Sequence, residues 1–151
     1  MIFAESKVWI EGNVKGKITV VAANVSNPNI DPDIIIEDNI NYTTLDGSDG
    51  LTAIAENSVL LPLMSPDNLE IRGIFIAQNG YFGRNLYPCW YSPHDKRSSL
   101  ETHGSIVSNG RVGTKWGYSG KAPKSADLKI AYENCRLFFP NIELKSVFPS
   151  L

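Results

Sequence analysis

Hydrophobic and polar residues alternate along the first part of the chain. Between residues 7 and 24 every second position is apolar or small, and the positions between them are mostly polar or charged. The alternating set is Val8, Ile10, Gly12, Val14, Gly16, Ile18, Val20 and Ala22. A period of two is typical of a β-strand with one buried face. Because glycine weakens an isolated strand, Gly12 and Gly16 indicate places where another backbone approaches closely.

The remaining pattern also predicts strands rather than helices. Residues 33–42 and 51–63 are rich in isoleucine, leucine and valine. The chain has 12 glycines and 9 prolines, and no window of a dozen residues has apolar side chains at helical spacing without one of these breakers. We therefore predict an all-β fold, since a doubly wound α/β fold would need several amphipathic helices.

Five short segments resemble one another and indicate a repeat. They are IIEDN at 35–39, IAENS at 54–58, IAQNG at 76–80, IVSNG at 106–110 and IAYEN at 130–134. Their fourth residues are separated by 19, 22, 30 and 24 positions. With one coil per repeat, this predicts a short right-handed parallel β-solenoid. Its isoleucines would stack inside, and its Asn and Asp residues would occupy left-handed corners.

A second similarity supports the repeat. Residues 69–84 and 100–115 share Leu, Glu, Gly, Ile, Asn, Gly and Gly at nearly matching places, with a one-residue slip between Gly73 and Asn79. The alternative is an antiparallel β-sandwich, whose short strands recur about every 8 to 12 residues. The similar segments here recur at about twice that interval, which favours the solenoid.

Length and charge narrow the class further. The 151 residues fit a single domain, residues 1–151, with a substantial core. The net charge of −2 argues against a nucleic-acid partner. The longest apolar runs, residues 18–23 and 58–64, are much shorter than the roughly 20 residues that a spanning helix needs. We expect no membrane contact by this segment.

The two cysteines have no metal-binding context. Cys89 lies in a loop-like segment and Cys135 in an apolar one, and neither has a partner at metal-ligand spacing. We expect no zinc site. A disulfide between Cys89 and Cys135 stays open, because the sequence does not say whether their Cα atoms lie within about 7 Å.

Few residues are candidates for catalysis. Residues 46–50, DGSDG, lack the spacing of an EF-hand calcium loop and are typical of a tight turn. His94 is close to Cys89 and Asp95, but residues so near in sequence rarely reach triad geometry. His103 is expected to be an outward-facing polar residue of a strand. We predict no catalytic residue, no metal and no cofactor. The acidic residues Asp31, Asp33, Glu37, Asp38, Asp46, Asp49 and Glu56 are interpreted mainly as corner and turn residues.

Aromatic residues concentrate in a loop insertion at about 84–99. Tyr87, Trp90 and Tyr91 lie there, and Trp116 and Tyr118 follow about one coil later. Loops in solenoids often carry the interaction surface, and exposed rings can anchor a protein or stack on a sugar. Those five residues are the predicted ligand-binding site. Capping of the core by the same rings is the open alternative, and the tail at about 128–151 is predicted to cap the end of the solenoid.

Several long phrases of the chain resemble a known family. They include VWIEGNVKGKITV at 8–20, DGSDGL at 46–51 and IAQNGYFGR at 76–84. Over residues 2–118 the chain resembles the C-terminal region of bacterial pilus-assembly, PilX-like surface proteins. The resemblance implies a β-helical passenger displayed outside the cell, exported through a segment absent from this chain.

We therefore predict a non-catalytic extracellular module for adhesion, display or structure in a pilus-associated surface protein. Other pilus or surface proteins are the expected partners, together with a glycan or a solid surface. A polysaccharide-active β-helix enzyme is the alternative.

Overall fold

The structure, a computed structural model, describes residues 1–26, 29–87 and 91–114 and the backbone of 141–145. This part of the chain contains ten β-strands and no α-helix, so the all-β prediction is confirmed. The strands are β1 (Ile2–Ala4), β2 (Val8–Val14), β3 (Lys17–Ala22), β4 (Ile34–Tyr42), β5 (Gly50–Ala55), β6 (Val59–Leu61), β7 (Asn68–Ala77), β8 (Phe82–Arg84), β9 (Ser99–Ser108) and β10 (Asn141–Lys145). No helix in these ranges is long and apolar enough to cross a membrane.

The strands pair in three rows. The first row contains β1, β3, β5 and the C-terminal halves of β7 and β9. The second contains the N-terminal parts of β2 and β4 followed by β6 and β8, and a bridge from Gly83 to Gly113 extends it. The third contains the C-terminal parts of β2 and β4, the N-terminal halves of β7 and β9, and β10.

The chain visits these rows in a repeating order: first, second, third, then first again. Each strand therefore pairs with the strand one circuit later, and every pairing between described strands is parallel. Parallel neighbours require such long connections. The antiparallel β-sandwich considered from the sequence is wrong, and the parallel sheet is compatible with a β-helix.

The core is built from the inward positions of the three rows. Along the second row Ile34, Val59 and Phe82 lie side by side in register and are fully buried. Phe75 of the first row meets Phe82, with ring centroids 5.9 Å apart. Burying one such side chain contributes about 1.5–3 kcal/mol relative to leaving it exposed. These stacked residues connect the circuits, because each is covered by the equivalent residue of the next strand.

The predicted alternation over residues 7–24 is confirmed, but it belongs to two strands. Val14, Val20 and Ala22 are buried, and the chain turns at Lys15–Gly16 between β2 and β3. The apolar run 51–63 is likewise divided, into β5 and β6, at residues 56–58.

The glycines have different roles from those predicted. Gly12 and Gly16 have φ values of 98° and 79°, and a Cβ added at either would meet no atom within 4 Å. They therefore serve the turns and not a close approach. Close approach occurs instead at two other glycines. A Cβ added at Gly83 would collide with the backbone of Gly113, and a Cβ added at Gly104 would collide with the backbone of Gly73.

The predicted left-handed Asn and Asp corners are wrong for the described residues. All residues there with positive φ are glycines. Asn57 and Asn109 act through side-chain hydrogen bonds instead: their Nδ2 atoms donate to Asp33 Oδ1 at 2.8 Å and to the backbone oxygen of Asn79 at 3.2 Å. The amide groups therefore tie neighbouring circuits together without a strained backbone.

The predicted repeat alignment is partly confirmed. Ile54 pairs with Ile76 in the first row, as the match of IAENS to IAQNG requires. Both side chains alternate with the buried residues of their strands and lie on the outer side, so the predicted inner stack of isoleucines is wrong for them. The segment 35–39 does not belong with them, since Ile35 lies in the second row beside Leu60. The true partner of Ile54 in the preceding circuit is Val21. The fifth segment, 130–134, lies outside the described residues.

The predicted one-residue slip is confirmed. From Asn68 beside Ser99 to Ala77 beside Ser108, β7 and β9 run in one uninterrupted register. Gly83 then pairs with Gly113, at a separation of 30 residues instead of 31. The extra residue therefore lies between Ala77 and Gly83, beyond the end of β7.

Candidate binding loops

Two connections between the second and third rows lie side by side. The first joins β6 to β7 and covers residues 62–67, and the second joins β8 to β9 and covers 85–98. The second is the place of the predicted insertion. Arg84, the last residue of β8, and Arg97, in the second loop, both donate hydrogen bonds to the backbone carbonyl of Leu63 in the first loop.

Two buried arginines hold the longer loop against the shorter one. Arg84, at the end of β8, donates from Nη1 to the carbonyl of Asp95 at 2.9 Å and from Nη2 to those of His94 at 2.7 Å and Leu63 at 3.1 Å. Arg97 donates from Nη2 to the same Leu63 carbonyl at 2.6 Å. Backbone carbonyls thus supply much of the hydrogen bonding that a buried guanidinium requires.

Asp95 is buried, and its negative charge partly opposes the lowering of the pKa of both arginines. Burial and, to a smaller extent, the positive charge of Arg97 lower the pKa of Arg84 to about 10, against the opposing effects of Tyr87 and Asp95. Burial also lowers the pKa of Arg97, against the opposing charges of Asp67 and Asp95. Arg84 therefore remains charged at neutral pH, and both guanidinium groups act as donors to backbone carbonyls.

An aromatic pair, Tyr87 and Tyr91, lies beside the two arginines. The Arg84 guanidinium carbon is 4.7 Å from the centroid of the Tyr87 ring, in cation–π contact. Tyr87 meets Tyr91 edge to face, with centroids 6.3 Å apart and an interplanar angle of 77°. Burial raises the pKa of Tyr87, while the charge of Arg84 and a backbone hydrogen bond at Leu63 lower it. Tyr87 is half-buried, and Tyr91 is 45% exposed.

Each of the two loops also exposes an apolar side chain. These are Leu86 in the longer loop and Met64 in the shorter one. Exposed apolar side chains and aromatic rings supply contact area for a ligand.

The structure brings together two of the five predicted site residues, Tyr87 and Tyr91. The other three, Trp90, Trp116 and Tyr118, lie outside the described residues. The same holds for Cys89 and Cys135 and for most of the predicted capping tail.

Arg84 and Arg97 lie within the predicted insertion, but the sequence did not indicate their burial, and it did not indicate Asp95 and Leu63 as parts of the site. A signal existed at Arg84, which directly follows the buried residues Phe82 and Gly83. No signal marks Leu63, because its contribution is a backbone carbonyl.

The DGSDG segment is a tightly bonded turn, with its carboxylates engaged by the chain itself. Asp49 Oδ1 accepts from the Gly16 amide at 2.6 Å, and Oδ2 accepts from the Thr44 amide at 2.7 Å. These bonds lower the pKa of Asp49. Hydrogen bonds from Ser48 and then from Thr44 lower the pKa of Asp46. Within the described ranges no three His, Cys, Asp or Glu residues come together as metal ligands.

The two histidines lie in separate surroundings. His94 Nδ1 is 3.3 Å from Arg97 Nη2, within the loop between β8 and β9. His103 Nε2 lies 3.0 Å from Glu101 Oε1 and 3.4 Å from Glu70 Oε1 on the outer side of the third row. Glu70 and Glu101 are neighbours in register, and Arg72 forms an ion pair with Glu70.

No family model, curated protein or solved structure matches this chain.

Proposed function

We propose that the chain is a short right-handed parallel β-solenoid that serves as a non-catalytic adhesion or display module of a pilus-associated protein on the outside of a bacterial cell. The observation that carries the proposal is the Tyr87–Tyr91 pair, held over Arg84 on a loop that two buried arginines fasten.

The repeating order of the three rows supports the solenoid. A chain that returns to each row after passing through the other two stacks its circuits along one axis, and each circuit buries its inner face on the next. A right-handed path is favoured because the twist of β-strands makes parallel crossover connections right-handed in nearly all cases.

The anchored loop supports binding. A rigid aromatic ring loses little conformational freedom when a ligand arrives, so a pre-ordered platform binds more tightly than a mobile loop with the same rings. Tyr91 offers an exposed ring, and Leu86 and Met64 are exposed apolar side chains of the same two loops. The ligand class that fits is a glycan, through stacking of a ring on the apolar face of a sugar, or a solid surface.

The pilus context rests on the resemblance of several phrases to PilX-like proteins, among them IAQNGYFGR at 76–84. Its last residue, Arg84, is one of the two arginines that fasten the loop. Other pilus or surface proteins are the partners that this context implies.

The test is a binding screen of the purified chain against cellulose, chitin and soluble glycans, with Tyr91→Ala as the loop variant. Trp9→Ala is the matched control, because it removes another exposed aromatic ring from the distant strand β2. We expect Tyr91→Ala to weaken binding by at least about tenfold and Trp9→Ala to leave it unchanged. Equal binding by all three proteins, or no binding by the parent chain, would overturn the binding role of the loop.

One observation favours the second candidate, a polysaccharide-active enzyme. Glu70 and Glu101 lie in register on the outer face with His103 between their carboxylates. Paired carboxylates are the groups that glycoside hydrolysis needs. Release of new reducing ends from a polysaccharide by the parent chain, and its loss in Glu101→Gln, would establish this alternative.

A further inference from the structure

A groove crosses the outer side of the fold where the third row bends into the first. Its cavity has a volume of about 500 Å³, which lies within the range of about 300–1,000 Å³ for small-molecule sites. It passes over four neighbouring strands, β3, β5, β7 and β9, which at about 4.8 Å spacing extend over about 14 Å. We call it the corner groove. Six of its lining side chains matter for recognition: Lys17, Thr19, Thr52, Ile74, His103 and Ser105.

Two glycines form the bend beneath the corner groove. β7 and β9 pass from the third row to the first at Gly73 and Gly104, with φ values of 155° and 135°. The two residues are neighbours in register, and both line the groove. A Cβ at Gly104 would collide with the carbonyl of Gly73, so this position must stay without a side chain. Backbone therefore lines the groove directly at the bend, where a ligand can approach it closely.

A column of hydroxyl groups runs along the corner groove. Thr19, Thr52, Ile74 and Ser105 are consecutive neighbours in register on the four strands. Within the part of the chain that the structure describes, no hydrogen bond engages the hydroxyls of Thr19, Thr52 and Ser105. Each hydroxyl can both donate and accept. Ile74, 38% exposed, adds an apolar contact between them. The column thus offers alternating polar and apolar contacts to a ligand that lies across the strands.

The charges of the corner groove are balanced. Lys17 and Asp49 both line it, and Lys17 has no ion pair among the described residues. Both oxygens of Asp49 already accept hydrogen bonds, from the Gly16 amide at 2.6 Å and from the Thr44 amide at 2.7 Å. One positive and one negative group give no excess of either sign, and this favours an uncharged ligand.

The glutamates of the third row do not belong to the corner groove. His103 lines it, but the Nε2 atom of this residue lies 3.0 Å from Glu101 Oε1 and 3.4 Å from Glu70 Oε1. Neither glutamate is part of the groove lining. The described lining therefore holds no free carboxylate for a cation or for proton transfer, and its chemistry is that of a binding site.

We propose that the corner groove binds an uncharged linear oligosaccharide, at a site separate from the aromatic loop. Sugar hydroxyls donate and accept hydrogen bonds as the threonine and serine hydroxyls do, and the C–H face of a sugar ring packs on Ile74. The aromatic loop connects the second row to the third, whereas the groove lies between the third row and the first. The proposal does not depend on binding by Tyr91.

A nuclear magnetic resonance titration of the ¹⁵N-labelled chain tests the proposal site by site. The probes are cellotetraose, mannotetraose and chitotetraose. We expect at least one of them to shift the amide signals of Thr52, Gly73 and Gly104, with a Kd of about 1 mM. Shifts at Tyr91 report the aromatic loop separately, so failure at one site is distinguishable from failure at the other.

The double variant Thr19→Val, Thr52→Val removes two hydroxyls and keeps the shape of both side chains. Valine suits a strand, so the fold should be retained. We expect binding in the groove to weaken by about tenfold, as the loss of two hydrogen bonds requires. If circular dichroism shows that this variant is unfolded, Ser105→Ala replaces it, with an expected loss of about threefold.

Two variants serve as controls. Ser6→Ala removes an exposed hydroxyl between β1 and β2, and Tyr91→Ala removes the exposed ring of the loop. Both should keep the shifts at Gly73 and Gly104 and the affinity of the parent chain there. Absence of these shifts with every probe at about 10 mM, or unchanged affinity in the hydroxyl variant, would overturn the proposal. Tighter binding of tetragalacturonate than of the three neutral probes would also overturn it, in favour of a site for acidic sugars.

Discussion

Arg84 and Arg97 donate hydrogen bonds to one acceptor, the backbone carbonyl of Leu63, at 3.1 and 2.6 Å. Two like charges converge on a single oxygen in a buried setting, with the side chain of Asp95 beside them. The arrangement makes the aromatic loop part of the folded body, because the carbonyl belongs to the neighbouring circuit.

Replacing Arg84 with Met should therefore destabilise the protein. The change leaves the carbonyls of His94 and Asp95 without their donor in a buried place, which costs about 2–4 kcal/mol. Urea unfolding followed by circular dichroism measures it. The control is Arg111→Ala, at an exposed arginine, and its effect should stay within about 0.5 kcal/mol. Equal effects of the two changes would show that the buried arginine does not fasten the loop.

Replacing Asp49 with Asn should reduce the sensitivity of the fold to acid. The pKa of Asp49 is lowered in the folded state by hydrogen bonds from the backbone amides of Gly16 and Thr44. Its stabilising contribution is therefore present above the ordinary carboxyl pKa of about 4 and is lost as the pH falls through the lower, folded value.

The measurement is the free energy of unfolding at a series of pH values from neutral to acid. The parent chain should lose stability below about pH 4, and Asp49→Asn should lose less over the same interval. Glu37→Gln, which removes an exposed carboxylate of β4, is the control and should follow the parent curve. Identical curves for all three proteins would contradict the role of Asp49.

Gly83→Ala should be poorly tolerated. A Cβ at this position would lie 2.6 Å from the carbonyl oxygen of Gly113, so the bridge between two circuits must shift. Overpacking of this kind costs about 1–3 kcal/mol. Thermal unfolding should show a lower midpoint for this variant.

Gly50→Ala provides the comparison for that experiment. A Cβ at position 50 meets only the Lys17 Cγ, at 3.9 Å, and Gly50 does not have a positive φ. Its effect should stay within about 0.5 kcal/mol, since added bulk has room and the unfolded chain loses freedom. A Gly83 variant as stable as the Gly50 variant would be inconsistent with the close approach at Gly113.

Asp33→Ala should destabilise the fold more than Asp33→Asn. The buried Oδ1 of Asp33 accepts from the Asn57 side chain at 2.8 Å and from the Ser58 amide at 3.1 Å, which connects two circuits. Alanine leaves both donors without this acceptor, at a cost of about 2–3 kcal/mol, whereas asparagine keeps one oxygen. Denaturant unfolding compares them. Asp31→Ala, an exposed neighbour, should be nearly neutral, and a ranking in another order would contradict the assignment.

Part of the fold was predictable because strand patterns are local. Alternate burial requires only that residues such as Val14, Val20 and Ala22 face the core, and the alternation of apolar and polar residues along the chain shows this directly. The match of Ile54 to Ile76 was also visible, because their segments are similar and separated by a short circuit.

The sequence did not reveal which residue lies beside Ile54 in the preceding circuit. Val21 and Ala22 pair with Ile54 and Ala55, but the sequence around residues 21–25 lacks the polar pair that marks the later repeats. The segment 35–39 resembled them more and was assigned to the wrong row. Similarity of five residues does not distinguish rows, because the outer and inner positions of every row alternate alike.

By itself the sequence determined the strand character of the chain, the presence of a one-residue slip between its two long similar segments and the aromatic content of the loop, since each depends on residue types in order along the chain. Only the tertiary structure decided which strands share a row, that Gly83 must stay small against Gly113, and that Arg84 and Arg97 converge on Leu63. These relationships join residues on different circuits, and two of them act on backbone atoms, which every residue possesses and no sequence pattern marks.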